Sequence, residues 1–392
     1  MNSTVSAERP HIAFFGRRNA GKSSVVNAVT NQRISVVSET LGTTTDPVSK
    51  TMELLPLGPV VIIDTPGFDD EGALGELRVE RTRETLRKTD IAVLVVDGTV
   101  GLSTADQALL NELHDRKLPY IIAYNKRDLV TRLTKINDNE MFISAKTGEG
   151  IGELKERLAH IIHEDEKVKL IAADLVREGD AVILVIPIDA SAPKGRIILP
   201  QQQVLRELLD HHCTVICCQD SELKAALERL SCKPSLVITD SQAFSKVAAD
   251  TPEDVPMTSF SILFARYKGG LDGLIKGADA LKTIKTGDKI LISEGCTHHR
   301  QCGDIGTVKL PAWIREFTGA EPDFDFTSGT GFPSDLSPYK VIIHCGGCML
   351  NEKEMLYRRQ SAEKAGVPMV NYGIAIAAVK GILDRAVKVV KS

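Results

Sequence analysis

The segment HIAFFGRRNAGKSSVVNAV, His11 to Val29, constrains the fold more tightly than any other part of the chain. An apolar strand runs into a glycine-bounded loop and then a helical run. Gly16 to Ser23 thereby meets the pattern G-x-x-x-x-G-K-[ST] in the strand–loop–helix setting that gives it meaning. Backbone N–H groups of such a loop, with the start of the helix, form a cradle for phosphate. Gly16, Asn19, Ala20, Gly21 and Ser24 are expected to line that cradle, Lys22 to reach the β- and γ-phosphates, and Ser23 to ligate Mg²⁺.

Further motifs follow in the order this fold demands. VVIIDTPG is a buried strand that delivers Asp64, suited to the outer sphere of Mg²⁺, and Gly67, whose N–H can bond a γ-phosphate. Before it, LGTTTDP offers Thr43 to Thr45 as the switch threonine sensing Mg²⁺ and γ-phosphate, with Thr44 the best placed. The strand YIIAYN leads to Asn125, Lys126 and Asp128. The Asp128 carboxylate can accept from N1 and the exocyclic amine of guanine, a pair that adenine does not offer. Ser144, Ala145 and Lys146 supply the loop that closes over the base. GTP and GDP are the expected ligands, with Lys22, Ser23, Thr44, Asp64 and Gly67 as the hydrolytic set. Any one motif is an ordinary turn on its own; the ordered set is not.

From Pro10 to about His163 this set resembles the translation-factor-related GTPases of the TrmE and Era group. Phe68 stands where Ras-like proteins carry the water-orienting glutamine, so hydrolysis should not use that side chain; turnover is expected to be slow, as for unassisted switches of this kind. Asn19 stands where potassium-activated members carry an asparagine ligand, so the resemblance implies K⁺ stimulation; as a plain loop residue it is equally well accounted for.

Composition limits the rest. A chain of 392 residues is long enough for two or three domains. Its net charge of −4, with no basic run, argues against nucleic-acid binding. No apolar run reaches membrane-spanning length and MNSTVSAERP lacks a signal-peptide profile, so no membrane association and a cytoplasmic location are expected. In a reducing compartment the 8 cysteines read as buried thiols and metal ligands rather than disulfides.

After the charged run Glu164 to Lys169 the chain alternates strands and helices as a parallel sheet does. The expected architecture is α/β throughout: a P-loop GTPase domain over 1–168, then two further parallel-sheet domains over 169–266 and 267–392. The last two read as an internal duplication. Val255-Pro256-Met257 recurs as Val367-Pro368-Met369, and Ile262, Ala265, Lys268, Gly269 and Leu271 recur as Ile374, Ala377, Lys380, Gly381 and Leu383. Gly179-Asp180 matches Gly287-Asp288, and Val237-Ile238 is aligned with Val341-Ile342.

The copies differ at their strand ends. In open parallel sheets ligands gather at the carboxyl ends of the strands. There the last unit carries EGCTHHRQCGD and HCGGC, so Cys296-Thr297-His298 should converge on His344, Cys345 and Cys348. A redox dithiol, a closed Cys₃His zinc site and an iron–sulfur site with three thiolates all remain open on these residues. Gly346-Gly347, able to fold round a bulky group and donate N–H bonds to sulfide, favours the last. Cys213, Cys217, Cys218 and Cys232 read as core packing. His211 and His212 read as partners of a helix C-terminus.

A GTPase of this group followed by C-x-H, about 45 residues and H-C-x-x-C resembles, over its whole length, the HydF family of FeFe-hydrogenase maturation GTPases. The resemblance implies a homodimer in which 169–266 dimerises and 267–392 holds a 4Fe-4S cluster on Cys296, Cys345 and Cys348, with His298 and His344 nearby. It implies a scaffold that takes a diiron precursor bearing CO and cyanide, made with the radical-SAM maturases HydE and HydG, and passes it to apo FeFe-hydrogenase. Cys302, six residues after Cys296, is not part of the pattern; as a fourth thiolate it would close the site and oppose exchange, and the preferred reading is a bystander. The fourth iron position then falls to solvent, a histidine or Asp304. The competing class is a ribosome- or RNA-associated GTPase with a structural zinc, and a third is a GTP-gated thiol redox sensor.

Overall fold

The computed structural model describes residues 9–32, 47–67, 81–131, 137–164, 169–188, 197–295, 304–329, 331–347 and 350–391, which fall into two compact units, Met1–Lys167 and Val168–Ser392. The first unit is built on a six-stranded sheet in the order β2-β3-β1-β4-β5-β6. Its strands are β1 (His11–Phe15), β2 (Val48–Leu54), β3 (Gly58–Asp64), β4 (Ile91–Asp97), β5 (Tyr120–Asn125) and β6 (Glu140–Phe142). All pair in parallel except β2, which forms a hairpin with β3.

A period of two splits the buried strands between two cores. Ile12 and Phe14 face one core with Val25, Val29, Leu154 and Leu158, from helices α1 (Lys22–Thr30) and α3 (Ile151–Glu164). Ala13 and Phe15 face the other with Leu109 and Leu113 of α2 (Thr104–Asp115). The Ser103 hydroxyl and Asp106 carboxylate close a reciprocal capping box on α2.

The second unit holds two four-stranded sheets, all parallel. The first comprises β7 (Ala181–Val185), β8 (Thr214–Cys218), β9 (Leu236–Thr239) and β10 (Met257–Ser259), ordered β10-β9-β7-β8. Its helices are α4 (Leu199–Asp210), α5 (Leu223–Arg229), α6 (Phe244–Asp250) and α7 (Phe260–Tyr267), followed by α8 (Leu271–Leu281). The second comprises β11 (Lys289–Ser293), β12 (Asp323–Thr327), β13 (Val341–His344) and β14 (Met369–Asn371), ordered β12-β11-β13-β14. Its helices are α9 (Leu310–Thr318), α10 (Glu352–Lys364), α11 (Tyr372–Val379) and α12 (Leu383–Lys391).

Relabelled within each half, both sheets follow the order 2-1-3-4, so the sequence repeat is a repeat of topology. The caps repeat too. Ser259 accepts from Ile262 N to start α7, and Asn371 accepts from Ile374 N to start α11. One alignment shifts by a residue: Val237 N donates to Pro256 O and Ile342 N to Pro368 O. Val237 is therefore the counterpart of Ile342, not of Val341. A uniformly apolar run carries no marker of register, and only pairing geometry resolves a slip of one residue.

The halves are interlocked. The helix α8, which follows the first sheet, lies along β14 of the second, while α12, which follows the second, lies along β10 of the first. A single apolar core, from Val182 and Phe260 through Leu274 and Ile342 to Val387, runs through both. The cysteine reading needs correction: Cys213 is buried, but Cys217 and Cys232 are exposed and Cys218 is half-buried. For Cys217 and Cys218 the cause is that β8 is the outer strand of its sheet, and Cys232 lies in the turn after α5. Partial desolvation of the sulfur by its neighbours pushes the Cys217 thiol up, and desolvation followed by Glu222 pushes Cys218 up to about 11, so neither ionises readily at neutral pH.

The exchange of helices depends on close approach at Gly277, where an added Cβ would lie 2.0 Å from Met369 O. Gly277→Ala should therefore destabilise the second unit by about 1–3 kcal/mol through overpacking. Urea denaturation checks this, and an unchanged midpoint would contradict the packing.

Candidate nucleotide and cluster sites

The parallel strands β1, β3, β4 and β5 bring their carboxyl ends to one edge of the first sheet. Phe14 pairs with Asp64 in that register, and Thr65 N and Oγ1 both donate to Phe14 O, at 3.2 and 2.7 Å. This pins the Asp64–Gly67 turn to the phosphate loop. The Lys22 ammonium forms an ion pair with Asp64, and Ser23 Oγ donates to Asp64 Oδ2 at 3.0 Å. The Lys22 ammonium, the Ser23 hydroxyl and the Asp64 carboxylate thus meet at one point. The hydroxyl and carboxylate are hard oxygen donors of the kind Mg²⁺ takes.

The base-binding motifs are equally tied together. Asn125 is buried; its Nδ2 donates to Ala20 O at 3.0 Å and its Oδ1 accepts from Ala145 N at 3.0 Å. One side chain therefore joins the phosphate loop to the closing loop. Ser144 Oγ donates to Asp128 Oδ1 at 2.7 Å and orients that carboxylate. Lys126 Nζ donates to Asp97 Oδ2 at 2.5 Å. Although burial pushes the Asp97 carboxyl up, bonds from Lys126 and Thr99 hold it below its usual range. Asp97 is a contributor that the motifs did not single out; only its place at the end of the apolar run IAVLVVD could have marked it. Asn19 has a φ of 63°, the left-handed region that asparagine tolerates in loops. The expected Thr44, with Thr43 and Thr45, and Phe68 lie outside the described residues.

In the second unit β11 and β13 are neighbours, with Ser293 opposite His344. The chain just beyond each strand meets the other: Gly295 N donates to Cys345 Sγ at 3.0 Å, and Cys345 N donates to Ser293 O at 2.9 Å. Gly347 N also points at Cys345 Sγ, at 3.4 Å. Gly347 has a φ of 61°, and a Cβ there would lie 2.6 Å from Met355 Sδ, so this turn requires glycine. Lys268, at the end of α7, donates to Gly347 O at 2.5 Å and Leu350 O at 3.1 Å, bracing the turn from the other half of the unit.

His344 is fully buried. Its Nδ1 bonds Cys345 O at 2.7 Å and its Nε2 meets Arg358 Nη1 at 3.0 Å. Burial first, and then the Arg358 charge, push its pKa down to about 3, so the ring is neutral. With both nitrogens engaged, His344 does not present a lone pair to a metal beside Cys345. Asp304 Oδ2 accepts from Thr307 N and Oγ1, each at 2.9 Å, and so caps the helical turn that precedes α9. Cys296, His298, Cys302 and Cys348 lie outside the described residues, and among the described residues no group of three or more His, Cys, Asp or Glu could hold a metal ion. No described helix is long and apolar enough to cross a membrane.

Sequence reasoning also missed Glu294 and Tyr372. Tyr372 OH donates to the buried Glu294 Oε1 at 3.1 Å, and burial, then Glu294 and Cys345, push the phenol pKa upward.

The guanine-reading geometry gives a direct expectation. Asp128→Asn removes charge-assisted bonds worth about 1.5–3 kcal/mol. GTP affinity should fall about 10–100-fold, with a relative gain for xanthosine nucleotides. Titration with fluorescent nucleotides checks both, and unchanged GTP affinity would contradict the assignment.

Three family models match this chain. Residues 11–126 match a 50S ribosome-binding GTPase domain, 171–269 the hydrogen maturase F dimerization domain, and 272–389 the hydrogen maturase F tetramerization domain. Among curated proteins, tRNA modification GTPase MnmE of Nitrosospira multiformis is 36% identical over 158 residues, covering 38% of this chain and 34% of that protein. MnmE of Legionella pneumophila is 37% identical over 153 residues, covering 38% and 33%. The chain thus spans about a third of the length of these relatives. A solved structure of a probable GTP-binding protein engB shares 26% identity, with a TM-score of 0.33 over 39% of this chain and 99% of that one. The first domain is a P-loop GTPase domain with Mg²⁺ and guanine nucleotide as its ligands. The two hydrogen maturase F models together match more than half of the chain, which therefore belongs to the hydrogen maturase F family.

Proposed function

We propose that this protein is a GTP-hydrolysing scaffold that holds a 4Fe-4S cluster and hands a diiron precursor to apo FeFe-hydrogenase. The observation that carries the reading is the thiol of Cys345, cradled by the N–H groups of Gly295 and Gly347 at the joined ends of β11 and β13. Backbone N–H donors aimed at sulfur stabilise thiolate and cluster sulfide alike. Cys345, with Cys296 and Cys348, would hold the cluster, which when bound offers an iron position for ligand exchange. With both His344 nitrogens engaged, the fourth position is left to solvent, His298, Asp304 or Cys302.

In the first unit Lys22 would neutralise phosphate charge, Ser23 and Thr44 would bind Mg²⁺ with Asp64 in its outer sphere, and the Gly67 N–H would bond the γ-phosphate. Asn19 would hold K⁺ in a potassium-stimulated reaction. Nucleotide state would govern exchange of partners, the radical-SAM maturases HydE and HydG on one side and the hydrogenase on the other. The matches to dimerization and tetramerization domains support self-association, with 169–266 as the dimerising segment and 267–392 as the cluster-binding segment. A cytoplasmic site of action fits the described cysteines, none of which is in a disulfide.

The match of 11–126 to a ribosome-binding GTPase supports a second reading, an RNA-associated GTPase with structural zinc. Purification without air separates the two. The scaffold reading expects iron and acid-labile sulfide, a reducible cubane signal in electron paramagnetic resonance (EPR), and loss of that signal in Cys345→Ser. Retained zinc without iron, or an unaltered signal in Cys345→Ser, would overturn it.

A further inference from the structure

We propose that Arg358 is a positioning residue for the Cys345 turn, acting through His344. The inference rests on the cluster reading of Cys345 only for its purpose; its geometry stands by itself. Arg358 is the largest fully buried side chain of the described residues. A guanidinium leaves water only when its donors are matched, and here each nitrogen has a partner. Arg358 Nε donates to Glu354 Oε1 at 2.8 Å, one turn earlier on α10. Nη2 donates to Gly329 O at 2.7 Å, beyond the end of β12. Nη1 reaches His344 Nε2 at 3.0 Å, at the end of β13, and Ser293 Oγ at 3.4 Å, at the end of β11. The guanidinium carbon also lies 5.1 Å from the centre of the Phe332 ring. One side chain thus touches the carboxyl ends of the three strands around Cys345.

The chemical consequence is a fixed tautomer. Arginine only donates, so His344 Nε2 must accept and Nδ1 must carry the proton. The Nδ1–H then donates to Cys345 O, across the peptide that leads into the Gly346-Gly347 turn. That bond orients the Cys345 carbonyl inward and leaves its thiol toward the N–H groups of Gly295 and Gly347. Arg358 reads in sequence like any surface arginine, and His344 like a ligand; the structure makes the first an anchor and the second its lever.

The test uses the full chain. Arg358→Met, Arg358→Lys and wild type are reconstituted anaerobically in parallel, with circular dichroism and thermal melts as fold controls. The expected result is a folded Arg358→Met protein with less than half the wild-type iron and sulfide, or shifted EPR g-values, and partial recovery in Arg358→Lys. A folded Arg358→Met protein with wild-type content and unshifted spectrum would overturn the proposal. Nitrogen-15 NMR of histidine-labelled, cluster-free wild type tests the same lever without mutation, should Arg358→Met fail to fold. It should show His344 as the Nδ1–H tautomer, and an Nε2–H tautomer would overturn the proposal. A wild type that never takes up iron would defeat the cluster reading instead, while the tautomer measurement would still decide this one.

Discussion

Parallel strand pairing forces the carboxyl ends of neighbouring strands to one edge, and both candidate sites of this chain are made there. In the first unit the pairing of β1 with β3 brings the phosphate loop to Asp64, and that of β4 with β5 brings Asp97 to Lys126. In the second, β11 beside β13 joins Gly295 to Cys345. The side chains of both sites sit on loops or on the terminal residues of strands and helices, while the register that places them comes from buried strands such as VVIID and VIIH. Loops held by a rigid sheet can carry left-handed turns, as Gly347 does, without loosening the site.

Duplication explains how a second such edge became available. The two halves of the second unit share strand order and helix caps, and they exchange their final helices. Exchange commits each half to the other: α8 buries Leu274 and Leu281 against the later half, and α12 buries Val387 against the earlier one. It also lets a residue of the first half serve the second, as Lys268 does at Gly347 and Leu350, whereas its counterpart Lys380 stacks over Trp313. The halves have kept one fold and diverged at the strand ends. Thr239 and Asp240 occupy the places that His344 and Cys345 take in the other sheet.

Much of this was legible in the residues. The GTP motifs are local, so their spacing alone located Lys22, Asp64, Asn125 and Asp128. The repeat was visible because Val-Pro-Met and Lys-Gly mark a turn and a helix end, not merely an apolar period. What failed to show was long-range. The register of VIIH against LVIT slipped by one, since nothing in an apolar run distinguishes one pleat from the next. Cys217 was misjudged because whether β8 is an inner or an outer strand is a property of the sheet. Arg358 sits in EKEMLYRRQS, a run that reads as a solvated helix, and no periodicity separates a buried arginine from its exposed neighbours.

The central claim is that this chain delivers a metal unit rather than acting on nucleic acid or on thiols. Its most direct test is activation of purified apo FeFe-hydrogenase, measured as hydrogen evolution, by protein first loaded in the presence of the two radical-SAM maturases and then freed of them. The account predicts activity from loaded wild type and none from protein that never met the maturases. Hydrogen evolution independent of that loading, or absent after loading of cluster-replete protein, would contradict it.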